Sequence, residues 1–333
     1  MKMKKFLNNP NNLTVELLEG YAKAYSDKVR IVSEKIVVRA QPKSPDKVAI
    51  LTIGGAGHEP ALSGFVGEGI LDASVVGDIF AAPGAPKVLE ALKLLKRDAG
   101  ILFVVLNHAG DVMSANMALK LAEREGIKVR MLLTHEDISA GLDTPVEDKR
   151  GLAGCIPLYK VAGAAAEAGK SLDEVYDIAS RFNEQMATLA VAMTGATHPQ
   201  NGAVLSDLPD DEMEIGMGQH GEAGGGRSKI LTADETANRM IAPLFEAVKA
   251  QAGDTMLLIV NGVGATTLME MFLVYRRAAA WLEEKGCSVV NGLVDEILTV
   301  QEMAGFQMIL CKLDADHVQL LKQPSNAPYW TVR

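Results

Sequence analysis

Short apolar runs of strand length recur along this chain, separated by glycine or polar turns and by segments of helical periodicity. Lys47–Ile53 (KVAILTI) is ended by Gly54-Gly55-Ala56-Gly57, and Ser74–Phe80 reads as a further strand. Ile101–Leu106 (ILFVVL) precedes a helical pattern over Asp111–Glu125, and Lys128–Leu133 is strand-like again. Ahead of them, Val15–Tyr25 reads as a helix behind Thr14. Strands alternating with helices predict a mostly parallel sheet with helices on its faces. In such sheets ligands bind at the carboxyl ends of the strands, where Gly54–His58 and Asn107–Asp111 both fall.

Two helices are expected next, over Leu158–Ala168 behind Pro157 and over Leu172–Gln185 behind a Ser171…Glu174 capping box. Gly195–Asp211 is rich in Gly, Pro, Asn and Asp and reads as an excursion or a domain seam. A second alternation follows, with strands at Met213–Met217, Thr255–Val260, Cys287–Leu293 and Phe306–Leu313. Its helices run from the capping box Thr232…Glu235 to about Ala250, and over Thr266–Glu284. The fold class expected is therefore α/β, as two domains, each a largely parallel or mixed sheet flanked by helices. The boundary is placed between residues 185 and 186, giving 1–185 and 186–333, with the tail from about residue 320 free to return to the first domain. A length of 333 residues suits two such domains.

Composition narrows the function classes. The formal charge of −9 opposes nucleic-acid binding, which needs clustered Lys and Arg. No apolar run approaches the ~20 residues of a membrane span, and the basic start at Met1–Lys5 has no apolar segment behind it, so neither a membrane nor a secretory role is expected and the location expected is cytoplasmic. Cys155, Cys287 and Cys311 are odd in number and far apart, which reads as isolated thiols, not a disulfide frame or a metal clip. No His/Cys pair has metal-ligand spacing, so no metal site is expected. Gly163–Ser171 imitates a phosphate-binding loop but has five residues between its glycines where that motif needs four. Gly262-Val263-Gly264 lacks the third glycine of a dinucleotide fingerprint.

Three segments remain that could carry chemistry. In Gly54-Gly55-Ala56-Gly57-His58-Glu59-Pro60, small residues after a strand let backbone N–H groups approach an oxygen-rich ligand, and His58 stands at the mouth as an acid/base near neutral pH, or merely caps a turn. In Asn107-His108-Ala109-Gly110-Asp111, Asp111 opens a helix, where it either caps the helix or activates a substrate hydroxyl at the same sheet edge as His58. In Gly216–Gly226, six of eleven residues are glycine around a single imidazole, His220, which reads as either open access to a ring nitrogen or an incidental His in a loop. His135 and His198, in polar loops, and His317, in a surface helix, are expected to be structural or solvated.

At these segments the chain resembles the substrate-binding K subunit family of dihydroxyacetone kinase (DhaK). The likeness runs from GHEP at Gly57–Pro60 and GDIF at Gly77–Phe80 through AGD at Ala109–Asp111 and RGLAG at Arg150–Gly154. It continues with EMEIGMGQHGE at Glu212–Glu222, NGVGATTLMEM at Asn261–Met271 and APYW near the end. The resemblance implies that a histidine nitrogen, matched by His220, adds to the carbonyl of a short ketose to give a hemiaminal. It implies an acid/base role for His58, hydroxyl orientation and activation by Asp111, and a backbone wall for substrate oxygens at Gly55, Ala56 and Gly57. It further implies a homodimer and a phosphoryl donor carried elsewhere: no cofactor on this chain, ATP or ADP with Mg on an L-type partner subunit, and in one branch a phosphotransferase-system M subunit. The chain departs from the family pattern at Ile53 (commonly Gly), Ala56 (commonly Ser), His108 (often Tyr) and Leu106 (Lys in some members). These changes keep erythrulose or another triose or tetrose derivative in competition with dihydroxyacetone. A ketose-binding regulatory relative that acts on transcription through a partner stands as the alternative to a kinase subunit.

Overall fold

A computed structural model describes residues 4–222, 224 and 226–333. Met1–Met3, and the loop residues Ala223 and Gly225 singled out above, lie outside the described residues. The chain forms two compact units, each drawn from separated stretches of sequence. The first comprises Lys4–Thr134, Cys155–Arg181 and His317–Arg333, and the second His135–Gly154 and Phe182–Asp316. A single boundary at 185/186 therefore does not describe how the contacts divide. Residues 135–154 leave the first sheet after its last strand and join the second unit, and the tail closes onto the first.

The first unit holds a six-stranded sheet. Its strands are β1 (Val29–Val32), β2 (Ile36–Arg39), β3 (Ala49–Ala56), β4 (Ala73–Ile79), β5 (Ile101–Leu106) and β6 (Val129–Thr134), in the order β1-β2-β4-β3-β5-β6. β4, β3, β5 and β6 are parallel, as the sequence pattern predicts, while β1 and β2 add an antiparallel margin that it missed. Strands of four residues carry too few side chains to show a period. The helices α1 (Leu13–Ala24) and α3 (Ala109–Arg124) fall where the pattern predicts them, and α2 (Ala85–Leu94), between β4 and β5, is a further helix that the pattern did not assign. Val88, Ala91 and Leu92 of α2 and Ala115, Ala118 and Ala122 of α3 close one face of the sheet over Leu51, Ile53, Phe103 and Val105. α4 (Cys155–Glu167) is buried from Cys155 through Ala166, and its Tyr159 hydroxyl lies 2.8 Å from the Thr52 hydroxyl of β3. Pro157 sits in the first turn of α4, where its missing N–H costs nothing. Gly169, at φ +79°, follows the end of α4, and Ser171 and Glu174 form the capping box that starts α5 (Leu172–Glu184), so Gly163–Ser171 is a helix-to-helix joint.

The second unit is built on β7 (Met186–Ala192), β8 (Glu212–Ile215), β9 (Gly226–Lys229), β10 (Thr255–Gly262), β11 (Ser288–Val289), β12 (Leu293–Asp295) and β13 (Gly305–Leu313). The strand order is β11-β10-β13-β7-β8-β9, with β12 also on β10. The long strands β10, β13 and β7 are mutually antiparallel, and only β11 and β12 pair in parallel with β10, so this sheet is mixed and not mostly parallel. α6 (Ala233–Ala247) and α7 (Leu268–Glu284) each begin with a complete capping box, Thr232/Glu235 and Thr267/Glu270. Met240, Ile241 and Leu244 of α6 and Met271, Val274, Ala278 and Leu282 of α7 pack on Leu189, Val191, Leu258, Val260, Met308 and Leu310.

α8 (Ala315–Lys322) corrects one expectation. His317 is fully buried, with Nε2 3.3 Å from the Ile178 carbonyl, and does not sit on a surface helix. Beyond α8, a hairpin of β14 (Ser325–Ala327) and β15 (Trp330–Val332) returns to the first unit, where Trp330 stacks edge-on against Phe65 and the Tyr329 amide donates to the Gly64 carbonyl. The three cysteines are buried and none is in a disulfide. Among the described residues no helix is long and apolar enough to cross a membrane.

Candidate functional site

In the first unit the chemistry gathers at the carboxyl edge of the sheet. β3 and β5 are parallel neighbours, with Ile53 paired to Val105, so the turn after β3 and the turn after β5 leave the sheet side by side. The first is Gly54–His58. A Cβ on Gly55 would stand 2.7 Å from the Ala81 amide nitrogen and 3.1 Å from the Asp78 carbonyl, so only glycine lets this backbone run against the exit of β4. Gly57 turns the chain at φ +101° beside the Phe80 ring. His58 is 7% exposed and lies against Phe80, ring centroids 5.0 Å apart. Glu59 folds back so that both its carboxylate oxygens accept from the Gly57 amide, at 3.0 and 3.1 Å, while burial pushes its carboxyl above the usual range. A cavity of about 490 Å³ behind this turn is lined by Gly54, Gly55, Glu59, Tyr21 and Tyr329.

The second turn carries Asp111. The helix N-cap is His108, with extended backbone, and α3 begins at Ala109, so Asp111 is the third helical residue and not the cap. It lies in the first turn, where the unpaired amides of a helix favour negative charge. Gly110 faces the Ala82 side chain, to which an added Cβ would come within 3.3 Å. Gly55, Ala56, Gly57, His58 and Asp111 thus belong to one edge of one unit.

His220 belongs to the second unit, on the loop between β8 and β9. The loop is held by charge as well as by glycine. The Glu222 carboxylate accepts from the His220 amide at 2.8 Å and stands 3.4 Å from the ring Nδ1. Burial opposes ionisation of Glu222, but its contacts with His220 outweigh this and hold its pKa at about 2. Arg150 approaches the same carboxylate at 4.0 Å and donates to the Gly216 carbonyl and the Ser139 hydroxyl, both at 2.9 Å. Its Nε donates to Asp137 at 2.7 Å. Glu214 accepts from the Gly224 amide at 2.8 Å. A Cβ on Gly218 would overlap both the Glu222 carboxylate and the Arg150 guanidinium, and one on Gly224 would overlap the Gly216 backbone. Glycine is therefore what admits the charged scaffold to the loop.

The sequence reading singled out His220 but gave no role to Asp137, Arg150 or Glu222. Glu222 could have been suspected from its place two residues after the imidazole. Arg150 lies 70 residues away and only the fold brings it in. Beside Asp137, Glu136 is buried, accepts from the Leu152 amide at 2.7 Å through one oxygen and has no partner for the other among the described residues. Burial pushes its pKa up to about 7. His135 pairs through Nε2 with the Asn183 amide group at 3.0 Å, and burial lowers its pKa.

Comparison with known proteins places this geometry. The Dak1 domain model matches residues 19–329. The dihydroxyacetone-binding subunit DhaK of the PTS-dependent dihydroxyacetone kinase 1 of Listeria innocua is 37% identical over 329 residues, 98% of this chain and 100% of the relative. The DhaK subunit of Lactococcus lactis is 38% identical over 317 residues, 95% of each chain. Among solved structures, the dihydroxyacetone kinase operon co-activator Dha-DhaQ superposes with a TM-score of 0.90 at 31% identity, covering 96% of this chain and 98% of its own. A family model spanning nearly the whole sequence, with relatives of equal length above 30% identity, establishes that the chain belongs to the Dak1 family, that of the dihydroxyacetone-binding DhaK subunits.

Proposed function

We propose that this chain is the substrate-binding subunit of a short-ketose kinase, holding dihydroxyacetone or a close relative such as erythrulose covalently on His220. One observation carries the reading: a carboxylate held ionised stands at Nδ1 of an imidazole in a glycine loop. A proton on Nδ1 facing Glu222 places the ring's lone pair on Nε2, the atom a nucleophile needs. Addition forms the Nε2–carbon bond and moves the carbonyl π pair onto oxygen. The oxygen takes up a proton and Nδ1 gives one up, so the net change is N–H added across C=O. Glu222 stabilises the imidazolium that forms on the way. Glycerol-like polyols have no electrophilic carbon and are excluded by the same chemistry.

For phosphoryl transfer, His58 is assigned general acid/base work, Asp111 orients and deprotonates the attacking hydroxyl, and the backbone of Gly55, Ala56 and Gly57 receives substrate oxygens. The donor is ATP, or ADP with Mg recharged by a phosphotransferase-system M subunit, on a separate L-type partner, and the K-type chain works as a homodimer. The names of the Listeria and Lactococcus relatives support the kinase assignment. A second reading rests on the close superposition with a co-activator: the chain would bind the ketose and regulate through a partner without turnover.

Carbonyl-labelled dihydroxyacetone distinguishes these readings. On binding, its ¹³C ketone resonance should move to the region of a tetrahedral carbon, and His220→Ala should abolish the change. The same shift persisting in His220→Ala would overturn the covalent assignment. Phosphorylated ketose formed after adding an L subunit and its donor supports the kinase, whereas a bound ketose that is never phosphorylated supports the regulator.

A further inference from the structure

The first unit has a second pocket, at the opposite end of its strands from the glycine turn. Asp72 directly precedes β4 and Val48 directly precedes β3, and beside them Arg30, Arg39, Lys43 and Arg97 line a cavity of about 150 Å³. We propose that this pocket binds a small tetrahedral oxyanion, either inorganic phosphate or the phosphate of a small phosphomonoester.

Four cations line the cavity and one carboxylate opposes them, in a chain whose overall charge is −9. Arg39 and Lys43 are 8% and 6% exposed, and buried cations are costly unless an anion compensates them. Asp72 is divided between them: Oδ1 accepts from Arg39 at 3.2 Å, and Oδ2 from Lys43 at 2.7 Å and from the Ile50 amide at 2.8 Å. Glu167 also reaches Arg39, at 2.7 Å, but brings Lys47 with it at 3.4 Å, so the excess of positive charge stands.

Donor geometry agrees. Arg97 gives its Nε to the Leu95 carbonyl and its Nη1 to the carbonyls of Ser44 and Lys47, which fixes the guanidinium plane and leaves Nη2 for a ligand. The Arg30 side chain has no hydrogen-bond or ion-pair partner among the described residues and extends from β1, which is paired through Arg30↔Val38 to the strand bearing Arg39. Fixed guanidinium forks suit an oxyanion better than a point charge would. The volume admits a phosphate-sized group with little besides, and is well below the roughly 300 Å³ at which pockets for larger ligands begin. Inorganic phosphate as occupant requires nothing of the ketose reading, whereas the phosphorylated ketose as occupant rests on it.

The test uses the full chain without ketose, so its outcome is independent of His220 chemistry. Inorganic phosphate and glycerol 1-phosphate are titrated by calorimetry and by thermal melting, with sodium chloride at matched ionic strength as reference. Saturable binding and a melting shift beyond that of chloride are expected. Arg30→Glu, at an exposed position on an edge strand, should weaken binding by about tenfold or more, the usual consequence of losing a charge-assisted hydrogen bond. Lys43→Gln should do the same where it folds. Tighter binding of the monoester identifies a small phosphomonoester as occupant, and tighter binding of phosphate identifies the free ion. A shift no larger than that of chloride, or unchanged affinity in Arg30→Glu, would overturn the proposal.

Discussion

The two glycine loops look alike in sequence but are held by different forces. Around Gly54–Gly57 the restraint is steric: the Gly55 backbone runs against the Ala81 amide and the Asp78 carbonyl, and Gly57 turns beside Phe80. Around Gly216–Gly224 it is largely electrostatic: Arg150 ties Asp137, the Gly216 carbonyl and the Glu222 carboxylate together, and Glu222 and Glu214 take loop amides. A wall of backbone amides needs only shape. A reactive imidazole needs a tautomer and an orientation, and those come from charge. Glycine serves the first loop by letting backbone meet backbone, and the second by making room for charged side chains.

The largest effect should come from challenging the steric loop. Gly55→Val places two methyl groups beyond a Cβ that is already 2.7 Å from a backbone nitrogen, and backbone cannot swing aside as a side chain does. A loss of about 3 kcal/mol or more is expected in denaturant unfolding, of the order seen for severe overpacking. That loss should be the same at low and high salt. A strong salt dependence would mean that charge also holds this turn.

A smaller effect, confined to pH, is expected behind the electrostatic loop. Glu136 is raised to about 7 by burial, against an ordinary 4.5 in the unfolded chain. The folded protein therefore holds a proton that the unfolded chain has lost between these values. The associated stability is full below about pH 4.5 and falls as pH rises through about 7, by roughly 3 kcal/mol if the whole shift is expressed. Glu136→Gln should flatten this slope and leave the variant the more stable protein at pH 8. A wild type whose stability is flat from pH 5 to 8 would show that Glu136 is already compensated.

Much of this was legible in the sequence because it depends on local pattern. Ile101–Leu106 is a strand at its predicted bounds, and all its residues are buried, so a continuous apolar run was a sufficient signal. The boxes Ser171/Glu174 and Thr232/Glu235 form as written, because a cap depends on residues three apart. β7 was missed although it is buried throughout: MATLAVA is rich in alanine, and its burial comes from β13 and β8 on either side, not from its own composition. His317 was misplaced for the same reason, since its neighbours Asp314 and Asp316 suggest a surface that tertiary packing removes. At the sites, the imidazoles and glycines announced themselves through spacing. The Asp137–Arg150–Glu222 chain did not, because an ion pair between distant residues leaves no periodic trace.

The finest test of the contrast is Glu222→Gln. The amide keeps the size of the side chain and can still accept from the His220 amide, so a loop held only by shape would not notice the change. The Glu222 side chain is 41% exposed, and its loss should barely move the melting temperature. Ketose binding should weaken by roughly tenfold, because the imidazolium formed during addition loses its counter-charge. The pH dependence gives a second handle. Glu222 is held at about 2, so its charge is present above the ordinary 4.5 and is lost only as pH falls toward about 2. Adduct formation in the wild type should therefore show no inflection near 4.5 from this group, and Glu222→Asp should recover part of what Glu222→Gln loses. If Glu222→Gln takes up labelled dihydroxyacetone as tightly as the wild type, the His220 loop works by shape, as the Gly55 turn does, and the contrast between them fails.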